Sequence, residues 1–181
     1  MLLLAACVSA LATQSKDGRS LPTLVPVTFP HATVRFYDVG GSTTSEIRVQ
    51  LTANGPGGHD AYTKWDVQWD WPGRGTAVCR LQDATVSYEV TVTFPRWVPT
   101  EDATPELVAQ WNGYLYALAL HEQGHVNNVM SHFPVLVAAI KGGTCLSAEN
   151  AAQIVLQQMR QFDSEYDYTT NHGRTQGARF P

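Results

Sequence analysis

His121-Glu122-Gln123-Gly124-His125 stands inside the longest helix-like stretch of the chain, and its reading decides the fold. On an α-helix, residues four apart share a face, one turn or ~6 Å along the axis. Two imidazoles so placed can each give a nitrogen to one metal ion, and Zn²⁺ accepts such ligands at ~2.0–2.1 Å. Glu122 is turned about 100° away, so it can reach a metal-bound water without being a ligand. This is the HExxH spacing of a metallopeptidase. Its ordinary alternative is a surface helix carrying two histidines by chance.

The flanks decide between them. Thr104-Pro105-Glu106 predicts a helix start, with a capping hydroxyl, Pro at the first helical position and an acid in the first turn. Leu107, Trp111, Tyr114, Leu118, His121 and His125 follow at alternating spacings of four and three. That is the core-facing stripe of an amphipathic helix, so both histidines continue the buried face. Asn127-Asn128 and Pro134 are the places where this helix is expected to bend or stop. Gly142-Gly143 ends the apolar run Val135–Ile140, and Ser147 is expected to cap a second helix from Ala148 to about Phe162. The tail from Glu165 to Pro181 reads as polar and turn-rich.

Upstream, residues 22–98 read as a sheet. Ile47, Val49 and Leu51 alternate with Arg48, Gln50 and Thr52, which predicts a half-buried strand. Trp65, Val67, Trp69 and Trp71 alternate with Asp66, Gln68 and Asp70. Val86, Tyr88, Val90, Val92 and Phe94 alternate with Ser87, Glu89, Thr91 and Thr93. The turn-rich pieces Asn54–Gly58 and Pro72–Gly75 separate these runs. The tryptophan stripe reads as core rather than as a binding platform. The expected class is α+β, an antiparallel or mixed sheet followed by the HExxH helix and a second helix.

At 181 residues the chain is one ordinary domain, here residues 22–181 after an N-terminal segment 1–21. Its net charge of −4 and lack of a basic run argue against a nucleic-acid binder. Met1–Ala12 is apolar and too short to span a bilayer, and it resembles the apolar part of an export signal followed by a polar linker. Leu4-Ala5-Ala6-Cys7 looks like a lipobox, in which Cys7 would be lipidated and anchor the protein to a membrane. Ala10-Leu11-Ala12 offers an ordinary cleavage site instead, and a plain apolar terminus is the remaining alternative. Export to the periplasm or cell surface is the expectation. Cys79 and Cys145 agree with it, because two such cysteines in an oxidising compartment most often form a disulfide.

Trp111-x-x-Tyr114, HEQGH, and the tail Tyr166-Asp167-x-x-Thr170-x-His172-Gly173-x-x-Gln176-Gly177-Ala178 together resemble a bacterial family of predicted secreted zinc-dependent proteases, described as a domain of unknown function. Tyr37-Asp38-Val39-Gly40, the Trp-rich strand and Phe94-Pro95-Arg96-Trp97 extend the resemblance over roughly residues 25–181. It implies export, Zn²⁺ and a zincin-like fold. It names no substrate beyond a peptide or protein.

A catalytic zinc takes three protein ligands plus water, and the helix supplies two, His121 and His125. His172 is the leading third ligand, since neighbouring Gly173 lets the backbone approach closely. Asp167 would then orient a ligand histidine, or would itself be the ligand in an aspzincin-like site. Glu149 would make the site gluzincin-like. His132 is ~16 Å along a straight helix from His121 and would need a sharp reversal. Tyr166 is a candidate for stabilising an oxyanion, and His31 and His59 read as surface residues. Glu122 is the expected general base of a zinc-dependent peptidase. The rivals are an amidase acting on cell-wall peptide and a non-catalytic envelope module with a structural zinc.

Overall fold

The computed structural model describes residues 28–181, so Cys7 and the N-terminal segment lie outside the described residues. Three strands and three helices follow in chain order. They are β1 (Thr33–Val39), α1 (Thr44–Asn54), β2 (Tyr62–Asp70), β3 (Thr85–Trp97), α2 (Pro105–Lys141) and α3 (Ala148–Thr170). The class is α+β, a small mixed sheet followed by two long helices. The strand order is β1-β3-β2. β3 runs parallel to β1, with Phe36 opposite Phe94, and antiparallel to β2, with Trp65 opposite Val90.

The alternation read over 65–71 and 86–94 does form β2, which stops at Asp70 just short of Trp71, and β3. That over 47–52 does not form a strand. Those residues are α1, where Ile47 and Leu51 are buried and Val49 is exposed. Three alternating apolar residues satisfy a helix as well as a strand when only the outer two point inward. Local chemistry settles the matter. Thr43 Oγ1 accepts from the Glu46 amide at 3.3 Å, and Glu46 Oε2 accepts from the Thr43 amide at 3.2 Å. This reciprocal pairing satisfies two amides that a helix start leaves without partners, and an isolated strand has no use for it.

Central β3 carries the core. Val92, Phe94 and Trp97 are fully buried, and Trp97 packs against Trp111 of α2 with ring centres 5.6 Å apart. Phe180 packs edge-on against Trp111 and also meets the Tyr114 ring. α2 begins as read, with Thr104 Oγ1 accepting from the Leu107 amide at 3.3 Å. It does not stop at Asn127-Asn128 or Pro134 but continues to Lys141, 37 residues in all. Pro134 is exposed, and it leaves the Met130 carbonyl without its helical partner.

α3 packs antiparallel to α2 and also outruns its expected end, passing Phe162 to reach Thr170. Asn171 stops it in a left-handed conformation, φ 50°. Ser147 makes no side-chain cap to α3; its hydroxyl accepts instead from the Thr144 amide at 2.9 Å. Cys79, after β2, is bonded to Cys145 in the α2–α3 connection, with Cα atoms 5.6 Å apart. Among the described residues no helix is long and apolar enough to cross a membrane.

Candidate metal centre

The middle of α2 and the last two turns of α3 face each other across the site, and β2 forms its third side. His121, Glu122 and His125 are 3%, 3% and 7% exposed. Asp167 Oδ1 lies 3.1 Å from His121 Nε2 and 3.2 Å from His125 Nε2. Ligands sharing one tetrahedral ion at ~2.0–2.1 Å stand ~3.3 Å apart, so Asp167 Oδ1 lies at the separation of a common coordination sphere from each histidine. They form a cluster whose ligand atoms all lie within 4.8 Å of one another.

The partners of the other ring nitrogens test whether a metal fits. His125 Nδ1 is 2.8 Å from Asp163 Oδ1, and His121 Nδ1 is 3.0 Å from Gln176 Oε1. Both partners are acceptors, so each Nδ1 carries the proton. Thr170 Oγ1, whose own proton goes to the Tyr166 carbonyl at 2.7 Å, is a second acceptor 3.5 Å from His121 Nδ1. Each neutral imidazole therefore turns an Nε2 lone pair toward an oxygen of Asp167, which also has only lone pairs to offer. Either extra protons or a cation must lie among them. The donor set of two imidazole nitrogens and a carboxylate fits a divalent metal ion.

Charge in the metal-free protein reflects this. Burial opposes a charged His125, but Asp163 and Asp167 outweigh it and raise the pKa to about 10. Burial likewise opposes a charged Asp167, yet its bonds to His121 and His125 hold it well below the usual carboxylate range. Glu122 goes the other way. Its burial raises the pKa, against a 2.6 Å hydrogen bond donated by Thr63 Oγ1 and the nearby histidines.

Two glycines allow the close packing. A Cβ on Gly124 would stand 2.5 Å from the Tyr166 ring. That ring stacks on His121 at 5.0 Å and meets His125 edge-on at 5.2 Å. Gly173 has φ +77°, and a Cβ there would stand 2.8 Å from His121 Cγ. The close backbone approach expected at Gly173 is therefore present, but it serves His121. His172 itself is exposed; its Nδ1 lies 3.6 Å from Asp167 Oδ1, and its ring lies 5.2 Å from that of His59. The structure groups Asp167, the alternative third ligand, with the two histidines, whereas His172, the leading one, stands exposed at the rim.

The remaining candidates lie apart from the triad. His132 Nδ1 sits 3.0 Å from the Asn128 carbonyl on its own helix. Glu149 pairs with Arg74 at 2.8 Å and accepts from Trp69 Nε1 at 3.1 Å, near the start of α3. His31 and His59 are exposed as read, although His59 lines the cleft. Tyr166 is packed, with its hydroxyl accepting from Gln176.

Sequence reasoning missed Asp163 and Thr63. Asp163 accepts from Trp65 Nε1 at 2.6 Å and from Asn128 Nδ2 at 2.9 Å, besides facing His125. Its position one helical turn before Asp167 was the available clue. Thr63 shares the inward alternation of β2 with Trp65. A cleft of about 1120 Å³ opens over the centre, lined by β2, α2 and α3.

Residues 34–173 match the family described as "Bacterial protein of unknown function (DUF922)", and the chain belongs to that family. No curated protein and no solved structure matches it.

Proposed function

We propose that this DUF922 member is an exported zinc-dependent peptidase of zincin-like build, with His121 Nε2, His125 Nε2 and Asp167 Oδ1 holding the metal. The observation that carries this reading is the pair of Nε2 lone pairs aimed at one carboxylate oxygen beside a buried Glu122. Zinc held there would supply a Lewis acid that polarises a scissile carbonyl and acidifies water. The same ligand types also suit ferrous iron, but Glu122 gives the site a base suited to hydrolysis.

Glu122 takes the proton from the attacking water and passes it to the leaving amine. Burial makes its carboxylate a stronger base, and Thr63 fixes one of its oxygens. Asp163 and Gln176 hold the two imidazoles in one tautomer and orientation. β2 is an edge strand lining the cleft, so an extended peptide can lie beside it as an added strand. The Cys79–Cys145 bond supports an oxidising compartment, the periplasm or cell surface.

A structural zinc site is closed by four protein ligands. The cluster here has three among the described residues and opens on a cleft, which favours the peptidase over a non-catalytic module. An amidase acting on cell-wall peptide would use the same groups on another substrate. The test is hydrolysis of an unstructured protein by purified material. Cleavage should stop on chelation, return with zinc and be absent from Glu122→Gln. Cleavage that persists in Glu122→Gln would remove this reading.

A further inference from the structure

The basic side chains among the described residues differ in whether a carboxylate faces them. Arg48, Arg74, Arg80 and Arg96 are paired with Asp60, Glu149, Asp83 and Asp38. Lys64, Arg160, Arg174 and Arg179 are exposed, have no carboxylate partner among the described residues, and all line the cleft. Elsewhere among the described residues Arg35 is exposed without such a partner, and Lys141 is half-buried without one. The acids at the cleft are mostly engaged. Asp60 is held by Arg48 and Tyr114, Asp163 by Trp65 and Asn128, and Glu122 by Thr63. Asp66 is the exposed exception. A chain of net charge −4 thus gathers four of the six unpaired cations among its described residues around one opening. Free charges of one sign at a cleft raise the local concentration of the opposite sign.

Their placement along the cleft carries the inference further. β2 and α3 run in opposite directions, because Trp65 bonds Asp163 while Trp69 bonds Glu149. Arg160 precedes Asp167 by seven residues, ~10 Å along the α3 axis, toward the Val67 end of β2. Arg174 and Arg179 follow the end of α3, where His172 meets His59, and His59 in turn meets Tyr62 at the start of β2. The metal centre lies between these cations. An extended chain advances ~3.3 Å per residue, so Arg160 falls about three residues from a bond held at the centre.

We infer that the cleft takes acidic peptides, with carboxylates on both sides of the bond presented to the metal centre. The cutting of that bond rests on the peptidase reading; the charge preference of the cleft does not.

The test is binding to Glu122→Gln protein, with chelator-treated wild type as the second form should the variant fail to fold. Fluorescent peptides of one sequence carry Glu, Gln or Lys on both sides of a central apolar pair. The Glu peptide should bind roughly tenfold tighter than the Gln peptide at low salt, and the gap should close as salt rises. Arg160→Gln should reduce the gain from Glu on one side, and the Arg174→Gln/Arg179→Gln double variant the gain from Glu on the other. Equal binding of the Glu and Gln peptides overturns the inference, as does a preference that neither salt nor these variants reduce. An acidic polysaccharide that displaces the Glu peptide at lower concentration overturns the assignment to peptides. Wild-type turnover of the same peptides separates the two readings. Charge-selective binding without cleavage upholds the cleft's preference and removes the peptidase; cleavage without charge preference does the reverse.

Discussion

Gly124 and the ring of Tyr166 occupy adjoining space that a single methyl group would fill, the missing Cβ falling 2.5 Å from the ring. That ring is wedged against both imidazoles, so the middle of the HEQGH motif sets how closely α3 approaches α2. Gly124→Ala is expected to destabilise by about 1–3 kcal/mol, the usual range for overpacking. It should also weaken metal binding. Thermal melts and zinc titration of the variant check both; a variant with native melting and native affinity would show that the contact yields freely.

Ligand assignment separates Asp167 from His172. Asp167→Ala should weaken zinc binding by more than ~100-fold, beyond the usual effect of a group that only supports a ligand. His172→Ala should retain about one zinc per chain, as a three-ligand site holds a single ion. Elemental analysis of washed protein reads both. Zinc lost from His172→Ala and kept by Asp167→Ala would reverse the assignment.

Support beneath the ligands has its own size. Asp163→Asn keeps the shape but removes the charge facing His125 Nδ1, and should cost ~10–100-fold in zinc affinity. Competition against a chelating dye measures it. An unchanged constant would mean that His125 is oriented without Asp163.

Turnover should depend on Glu122 and binding should not. Glu122→Gln is expected to keep the metal while hydrolysis falls by ~10²–10⁴-fold. Metal content and rate, taken on the same preparation, decide it.

Acid–base linkage gives a sign as well as a size. His125 has its pKa raised from 6.5 to about 10 in the metal-free protein. A raised pKa in the folded state contributes stability that is fully present below 6.5 and lost as pH climbs through about 10. Metal must displace the Nε2 proton, so its affinity runs the opposite way and grows over that window. The melting temperature of the loaded protein should therefore draw away from that of chelated protein as pH rises. A gap independent of pH would contradict the proton count at His125.

How much of this was legible follows from particular residues. His121 and His125 were readable because two rare side chains continued an apolar stripe that needed no structure to see. Asp167 was visible but not placeable. From Ala152 to Met159 the buried face of α3 is apolar, and then Asp163, Tyr166, Asp167 and Thr170 take over the same face. Periodicity in hydrophobicity ends where the helix turns from core to metal centre, so α3 read as ending near Phe162. Three alternating residues in α1 fitted two periods, and the capping pair Thr43 and Glu46 was the overlooked clue. Thr63 and Asp163 owe their roles to elements far apart in the chain, which single-sequence periodicity does not bring together.

Asp167 lies 46 residues beyond His121. A chain emerging from its N-terminus therefore delivers both histidines, and even Cys145, well before the oxygen that lies between their nitrogens. The sheet, α2 and the bond from Cys79 to Cys145 can all form around a pocket that still lacks its carboxylate. On the proposed reading metal capture waits for α3 to dock, and a molecule cut short within α3 would lose Ala178 and Phe180 from the core as well as Asp167 from the site. If that cluster holds a catalytic metal, completing the core and completing the site are one event, and activity would begin only once α3 has docked.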